Sequence, residues 1–251
     1  MKTKITAIIL TLIAGVAYAA TDRQDLDDFD RVVFALPYEV DFVVADEPFV
    51  TFEGDEDAIQ DIIVEQKGDT LKLRREEKWF GWSDSKGDVV VTIGYQELEA
   101  ITMAGSGDGH AELLEGDELK LSITGSANIE VDKVAANEVD ISIAGAGNVE
   151  IHDLSADSIS SKIAGSGDIE LSGRVVTQKI SIAGSGDHQA GELRTQETTA
   201  SIRGSGDIAV WAEARLSANV AGSGDIEYYG DPELEERIYG SGDLVRIGSS
   251  P

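Results

Sequence analysis

The 251-residue chain has no cysteine, only four prolines and 6% aromatic residues. Basic residues are also scarce: 20 lysines and arginines stand against 48 aspartates and glutamates, a net charge of −28. Without cysteine there is no disulfide framework, no thiolate zinc site and no cysteine nucleophile. Without a basic face the chain lacks what a nucleic-acid binder needs, so no nucleic acid is expected among its partners. The acidic surplus also disfavours anionic lipid and polyanionic glycans. Beyond the first twenty residues no apolar run approaches the roughly 18 residues of a spanning helix, so a membrane-spanning protein is not expected. What the chain does have is 41% hydrophobic residues and 27 glycines. That hydrophobic share is too high for a disordered acidic tail.

The first residues read as an export signal. Lys2 and Lys4 precede an apolar stretch from Ile5 to about Val16, and Ala17-Tyr18-Ala19 is a small-x-small cleavage site. Residues 1–19 are therefore expected to be removed. The loss of two lysines and no acid takes the charge from −28 to −30. Export would end in the periplasm, on the outer surface or in the medium.

An internal repeat dominates the rest. Eight pentapeptides of the Ala-Gly-Ser-Gly-Asp type begin at residues 104, 124, 144, 164, 183, 203, 221 and 239. Their first glycines are Gly105, Gly125, Gly145, Gly165, Gly184, Gly204, Gly222 and Gly240, at steps of 20, 20, 20, 19, 20, 18 and 18 residues. Between the glycines, apolar and polar residues alternate, as in Leu121-Ser122-Ile123 and Ile129-Glu130-Val131. That two-residue period predicts half-buried strands. The Gly-Ser-Gly itself predicts a turn or sharp corner. A further apolar position recurs at Leu114, Val134, Leu154 and Leu193, with Val175 one residue later in its own copy. A meander of hairpins and a stacked solenoid both fit strand-turn-strand repeats. The near-constant step favours the solenoid, because stacked turns need matched perimeters. Parallel crossovers are right-handed in nearly all cases. The expectation is an all-β chain folded as a right-handed parallel β-helix of about eight Gly-Ser-Gly rungs.

Residues 20–97 lack the repeat but carry strand patterns at Val32–Phe34, Val40–Val44, Phe49–Phe52, Ile62–Val64 and Leu71–Leu73. They are expected to form an irregular β cap or early rungs, continuous with the repeat solenoid of residues 98–251 as one domain. Glu53–Ala58 predicts a turn into a short helical piece, with acids in its first turn. The C-terminal end is closed less obviously, and self-association through it is a candidate partner interaction.

The export signal, the irregular β segment, the Gly-Ser-Gly-Asp repeats and the ending Tyr229-Gly-Asp-Pro232 before Tyr239-Gly-Ser-Gly242 together resemble a bacterial family. It is the autotransporter-adhesin head, or GIN domain, and the likeness covers roughly Phe29 to Ile247. The resemblance implies a β-helix like that of pectin lyases without their catalytic residues, tight Gly-Ser-Gly turns between two sheets, and a role in adhesion. Ala127 and Ala146 depart from the motif.

Several residues invite a chemical reading. Stacking would align Asp168, Asp187, Asp207, Asp225 and Asp243 into a column of carboxylates, a costly array unless compensated. Backbone amides at the turns would compensate it, making the column a cap. Bound Ca²⁺ is the alternative cofactor, although one carboxylate per rung falls short of its usual six to eight oxygens. The stacked serines are structural, since a nucleophile needs its own base and oxyanion site. His110, His152 and His188 form no local zinc signature. His188 follows Asp187 where an apolar residue is usual, which reads as a packing irregularity. Trp79, Phe80 and Trp82 lie between charged flanks, as an edge cover or as a binding surface for a cell-surface protein or glycan. The functional expectation is an exported, non-enzymatic adhesin or envelope module. The alternatives are a calcium-stabilised surface protein and a carbohydrate-active β-helix enzyme. The uniform repeats offer the enzyme no cleft wall.

Overall fold

A computed structural model describes residues 20–76 and 87–251; Trp79, Phe80 and Trp82 lie outside the described residues. In chain order the elements are β1 (Ala20–Asp25), β2 (Arg31–Ala35), β3 (Glu39–Val44), β4 (Phe49–Gly54), α1 (Glu56–Gln60), β5 (Ile62–Lys67), β6 (Thr70–Arg75), β7 (Val89–Tyr95) and β8 (Ala100–Gly105). The long strands follow: β9 (Asp108–Gly125), β10 (Asn128–Gly145), β11 (Asn148–Gly165), β12 (Ile169–Gly184), β13 (His188–Gly204) and β14 (Ile208–Gly222). The chain closes with β15 (Ile226–Tyr229), β16 (Glu233–Gly240) and β17 (Leu244–Gly248).

Strands β9 to β14 each run from one glycine corner to the next, and each pairs in parallel with its successor. Parallel pairing of consecutive repeats excludes the hairpin meander and makes a β-solenoid of about seven turns. Eight corners bound seven complete turns, so this number fits the eight motif copies. From β9 to β11 the register is unbroken: Ile143 lies opposite Ile123 on one side and Ile163 on the other. The shorter steps are absorbed away from the glycine corner, in shifts between Ile151 and Leu154 and between Ala190 and Arg194. The corners therefore stay stacked while one flank of the turn shortens.

Along β10 the buried residues are Ile129, Val131, Val134, Val139, Ile141 and Ile143. Alternation slips at Asp132-Lys133 and at Asn137-Glu138, where both neighbours are exposed. Successive side chains on one face mean that the strand has bent there. Each turn thus has two bends besides its Gly-Ser-Gly corner. Leu114, Val134 and Leu154 stack in one interior column, but the next turn puts Gly173 there, followed by Leu193. Val175 pairs instead with Ala156 and Thr195. Val175 already lies one residue further from its glycine than Leu154 does, and the register shift just ahead of it sets it opposite Ala156, two places along.

The N-terminal end is built out of sequence order. β2 lies between β6 and β8, and β3 between β7 and β9, all in parallel. The chain makes one turn, adds another outside it, then crosses back to continue on its inner side. Leu36-Pro37-Tyr38 occupies the corner that Gly105-Ser106-Gly107 fills in the adjacent turn. β4 then runs antiparallel to β7, β1 antiparallel to β4, and β5 antiparallel to β6. These strands cover the parallel edges that an open solenoid would leave unpaired. In α1, Asp55 caps the helix by accepting from the Ala58 N–H at 2.9 Å, with Glu56 and Asp57 in the first turn.

The other end is open. Among the described residues β16 pairs only with β14, and β17 only with β15. Leu234, Tyr239, Val245 and Ile247 are exposed there, with Tyr239 73% accessible. No described helix is long and apolar enough to cross a membrane.

Candidate functional site

The Gly-Ser-Gly-Asp corner is the arrangement that recurs along the stack. Gly145 takes φ +144°, and a Cβ there would run into the carbonyl oxygen of Gly125 one turn away. A Cβ on Gly167, at the second glycine position, would strike the carbonyl of Gly147 in the same way. Backbone lies directly on backbone at this corner, which is why glycine flanks the serine. The serine amide donates one turn back, as Ser166 N does to the Gly145 carbonyl at 2.9 Å.

The aspartates continue this pattern with their side chains. The amides of Asp187, Asp207, Asp225 and Asp243 donate to Oδ1 of Asp168, Asp187, Asp207 and Asp225 respectively, each at 2.8 Å. Asn148 and Asn128 act alike, accepting from the amides of Asp168 at 3.0 Å and Asn148 at 3.1 Å. Side-chain oxygens therefore satisfy backbone donors where the strand ladder is interrupted. Each donor comes from the neighbouring turn rather than from the aspartate's own. One carboxylate per turn, with one oxygen already engaged, remains far from the cage that Ca²⁺ takes.

Ser106, Ser126, Ser166, Ser185, Ser205, Ser223 and Ser241 are exposed. Among the described residues no hydrogen bond joins one of these hydroxyls to a histidine or carboxylate. His188 is fully buried between Ile169 and Ile208 in adjacent turns, and neither ring nitrogen has a hydrogen-bond partner. Burial pulls its pKa down to about 4. His110 and His152 are exposed on the outward faces of β9 and β11. The aromatic surface sought at Trp79–Trp82 has a described counterpart that the sequence reading passed over. Trp211 lies beneath Arg194, whose guanidinium carbon is 5.5 Å from the ring centroid. Arg194 Nε also donates to Glu213 Oε1 at 2.5 Å, and this bond holds the Glu213 carboxyl below the usual range. Trp211 stands alone in sequence, so only the register that sets it opposite Arg194 reveals the group.

The family model described as "Putative auto-transporter adhesin, head GIN domain" matches residues 28–152 and 121–232. The chain belongs to this family. Solved structures share the fold over about nine-tenths of the chain. A "putative lipid binding protein" from Parabacteroides distasonis ATCC 8503 is 27% identical, with TM-score 0.86 over 92% of this chain and 97% of that one. A "putative adhesin" from Parabacteroides merdae ATCC 43184 is 21% identical, with TM-score 0.86 over 92% and 96%. A second "putative adhesin" from P. distasonis ATCC 8503 is 23% identical, with TM-score 0.84 over 91% and 96%. A comparison with curated proteins found no match.

Proposed function

We propose that this GIN-domain chain is an exported, non-enzymatic module of the cell envelope that binds a cell-surface protein or glycan. The observation that carries this reading is the uniformity of the corner. The same glycine contacts, serine amide bonds and aspartate bonds recur from turn to turn, which suits a stiff presenting scaffold. A carbohydrate-active site would need a local group of acids in a cleft set apart from its neighbours. The lipid-binding description of the P. distasonis protein draws less support here. The interior is filled by stacked valine, leucine and isoleucine side chains, and the chain's charge of −28 opposes anionic lipid. The open C-terminal turn is the place for a second copy, because its unpaired strand edges and exposed apolar residues coincide.

Cell fractionation with N-terminal sequencing tests export. The expected product lies outside the cytoplasm and begins at Ala20. Recovery of the intact chain from the cytoplasm overturns the reading. Binding of labelled protein to intact cells, without product release from polyuronate substrates, tests the non-enzymatic part. A calcium-stabilised form of the same module is the second reading, favoured by the column Asp168, Asp187, Asp207, Asp225 and Asp243. Thermal unfolding in EDTA and in Ca²⁺, at matched ionic strength, separates the two. A Ca²⁺-specific rise in midpoint makes the column a metal site. Equal midpoints leave it as a hydrogen-bonded cap.

A further inference from the structure

Two imidazoles sit among carboxylates on the outward face of β3, β9, β10 and β11. In a parallel stack, equivalent residues lie side by side, and residues two apart on a strand face the same way. Asp41 lies opposite His110, His110 opposite Glu130, and Glu130 opposite Glu150. Asp132 and His152 are likewise neighbours, bracketed by the pairs Val131–Ile151 and Lys133–Asp153. Glu130 and Asp132 thus occupy the middle turn, with one histidine in the turn on each side.

Both rings are oriented alike. His152 Nε2 is 3.1 Å from Glu130 Oε1, and His110 Nε2 is 3.6 Å from Asp132 Oδ2. The other nitrogens face outer carboxylates, His152 Nδ1 at 3.4 Å from Glu150 Oε1 and His110 Nδ1 at 3.6 Å from Asp41 Oδ1. Ligand atoms of Glu130, Asp132 and His152 all lie within 4.8 Å of one another.

We propose that Glu130, Asp132 and His152 form a surface site for a divalent first-row transition metal of the Zn²⁺ type, with His110 beside it against Asp132. A tetrahedral ion with bonds of about 2.1 Å sets its donors about 3.4 Å apart. The His152–Glu130 separation of 3.1 Å is close to that spacing, and Asp132 lies within 4.8 Å of both. Each ring also turns one nitrogen to the centre and the other to a carboxylate, the arrangement that fixes the tautomer and raises the basicity of metal-bound histidine. An imidazole nitrogen with two carboxylates suits Zn²⁺, Co²⁺ or Ni²⁺ with water completing the shell, whereas Ca²⁺ takes oxygen alone. Glu130 beside Glu150 is a like-charge pair across adjacent strands, destabilising unless a cation relieves it. The bond to Glu130 and the charges of Glu150 and Asp132 hold the His152 pKa above its usual value, a sign of the same negative field.

The test is calorimetric titration of the untagged chain with ZnCl₂, with CaCl₂ as control and Co²⁺ as optical reporter. The expected result is one Zn²⁺ per chain, no Ca²⁺ heat at the same concentrations, and the visible absorption of tetrahedral Co²⁺. His152→Ala and Glu130→Gln, both at exposed positions, should each weaken Zn²⁺ binding at least about tenfold and remove the Co²⁺ band. Asp207→Asn, in the corner column, should leave both unchanged. No binding at millimolar Zn²⁺ overturns the proposal and leaves the two imidazoles in ordinary surface contacts with their neighbouring carboxylates. Binding that both variants leave within twofold of the parent overturns it as well.

Discussion

His188 is the residue whose chemistry fits its surroundings least. Isoleucine occupies the same interior position in the turns on either side, and the imidazole nitrogens are unpartnered. Its pKa falls from 6.5 to about 4 because burial disfavours the charged ring. Above pH 6.5 the ring is neutral in both folded and unfolded chains, so it imposes no pH dependence. As pH falls from 6.5 towards 4 only the unfolded chain takes up the proton, and stability drops by about 3 kcal/mol in all. His188→Ile should raise stability and flatten that limb, as read by urea denaturation at pH 7 and pH 4.5. The corner aspartates give a second residue-scale prediction. Asp187 Oδ1 accepts from the Asp207 amide, and Asn128 and Asn148 show that an amide oxygen serves equally well. Asp187→Asn should keep or slightly raise stability, since it preserves the acceptor and removes a charge. Asp187→Ala should cost about 1 kcal/mol by leaving the amide without it.

At the scale of the element, the corner is set by what cannot fit there. Gly145→Ala would force a side chain into the Gly125 carbonyl at a φ of +144°. A loss on the order of 2–4 kcal/mol is expected, measurable as a lowered urea midpoint. Ala146→Ser, at the exposed position between the two glycines, should be neutral by the same measurement. The corner was legible in the sequence because glycine spacing and two-residue alternation are both local signals. The strands of the N-terminal region were legible too, at β2 to β6. Their order in space was not. Val32 pairs with Leu71 on one side and Ile101 on the other, and no periodic signal links such distant positions. The interior bends also escaped reading, because a slip such as Asp132-Lys133 looks like any polar pair until burial is known. Val175 shows the same limit, since its extra residue of spacing and the register shift ahead of it together set it opposite Ala156.

At the scale of the whole molecule the two ends differ. One is covered by antiparallel strands, and the other presents Leu234, Tyr239, Val245 and Ile247 beside strand edges that are unpaired among the described residues. Tail-to-tail dimers are expected in analytical ultracentrifugation, and Val245→Lys with Tyr239→Glu should return the chain to monomer. A monomeric parent at high concentration would refute that expectation. The outward patch of His110, Glu130, Asp132 and His152 was hidden in the sequence for a related reason. Its members are separated by 20, 2 and 20 residues, so they converge only once the turns are known to stack in register. A search for neighbouring histidines cannot find donors that lie one perimeter apart.

The unbroken register from β9 to β11 also makes the protein a molecular ruler. Asn128 to Gly147 is one whole period, and its removal would set Asn148 directly on Asp108 with every corner bond available again. Such a chain should fold about 4.8 Å shorter. Duplication of the same segment should lengthen it by the same amount. Length in this architecture is therefore a quantity that replication slippage can edit in whole graduations, without redesign of any contact.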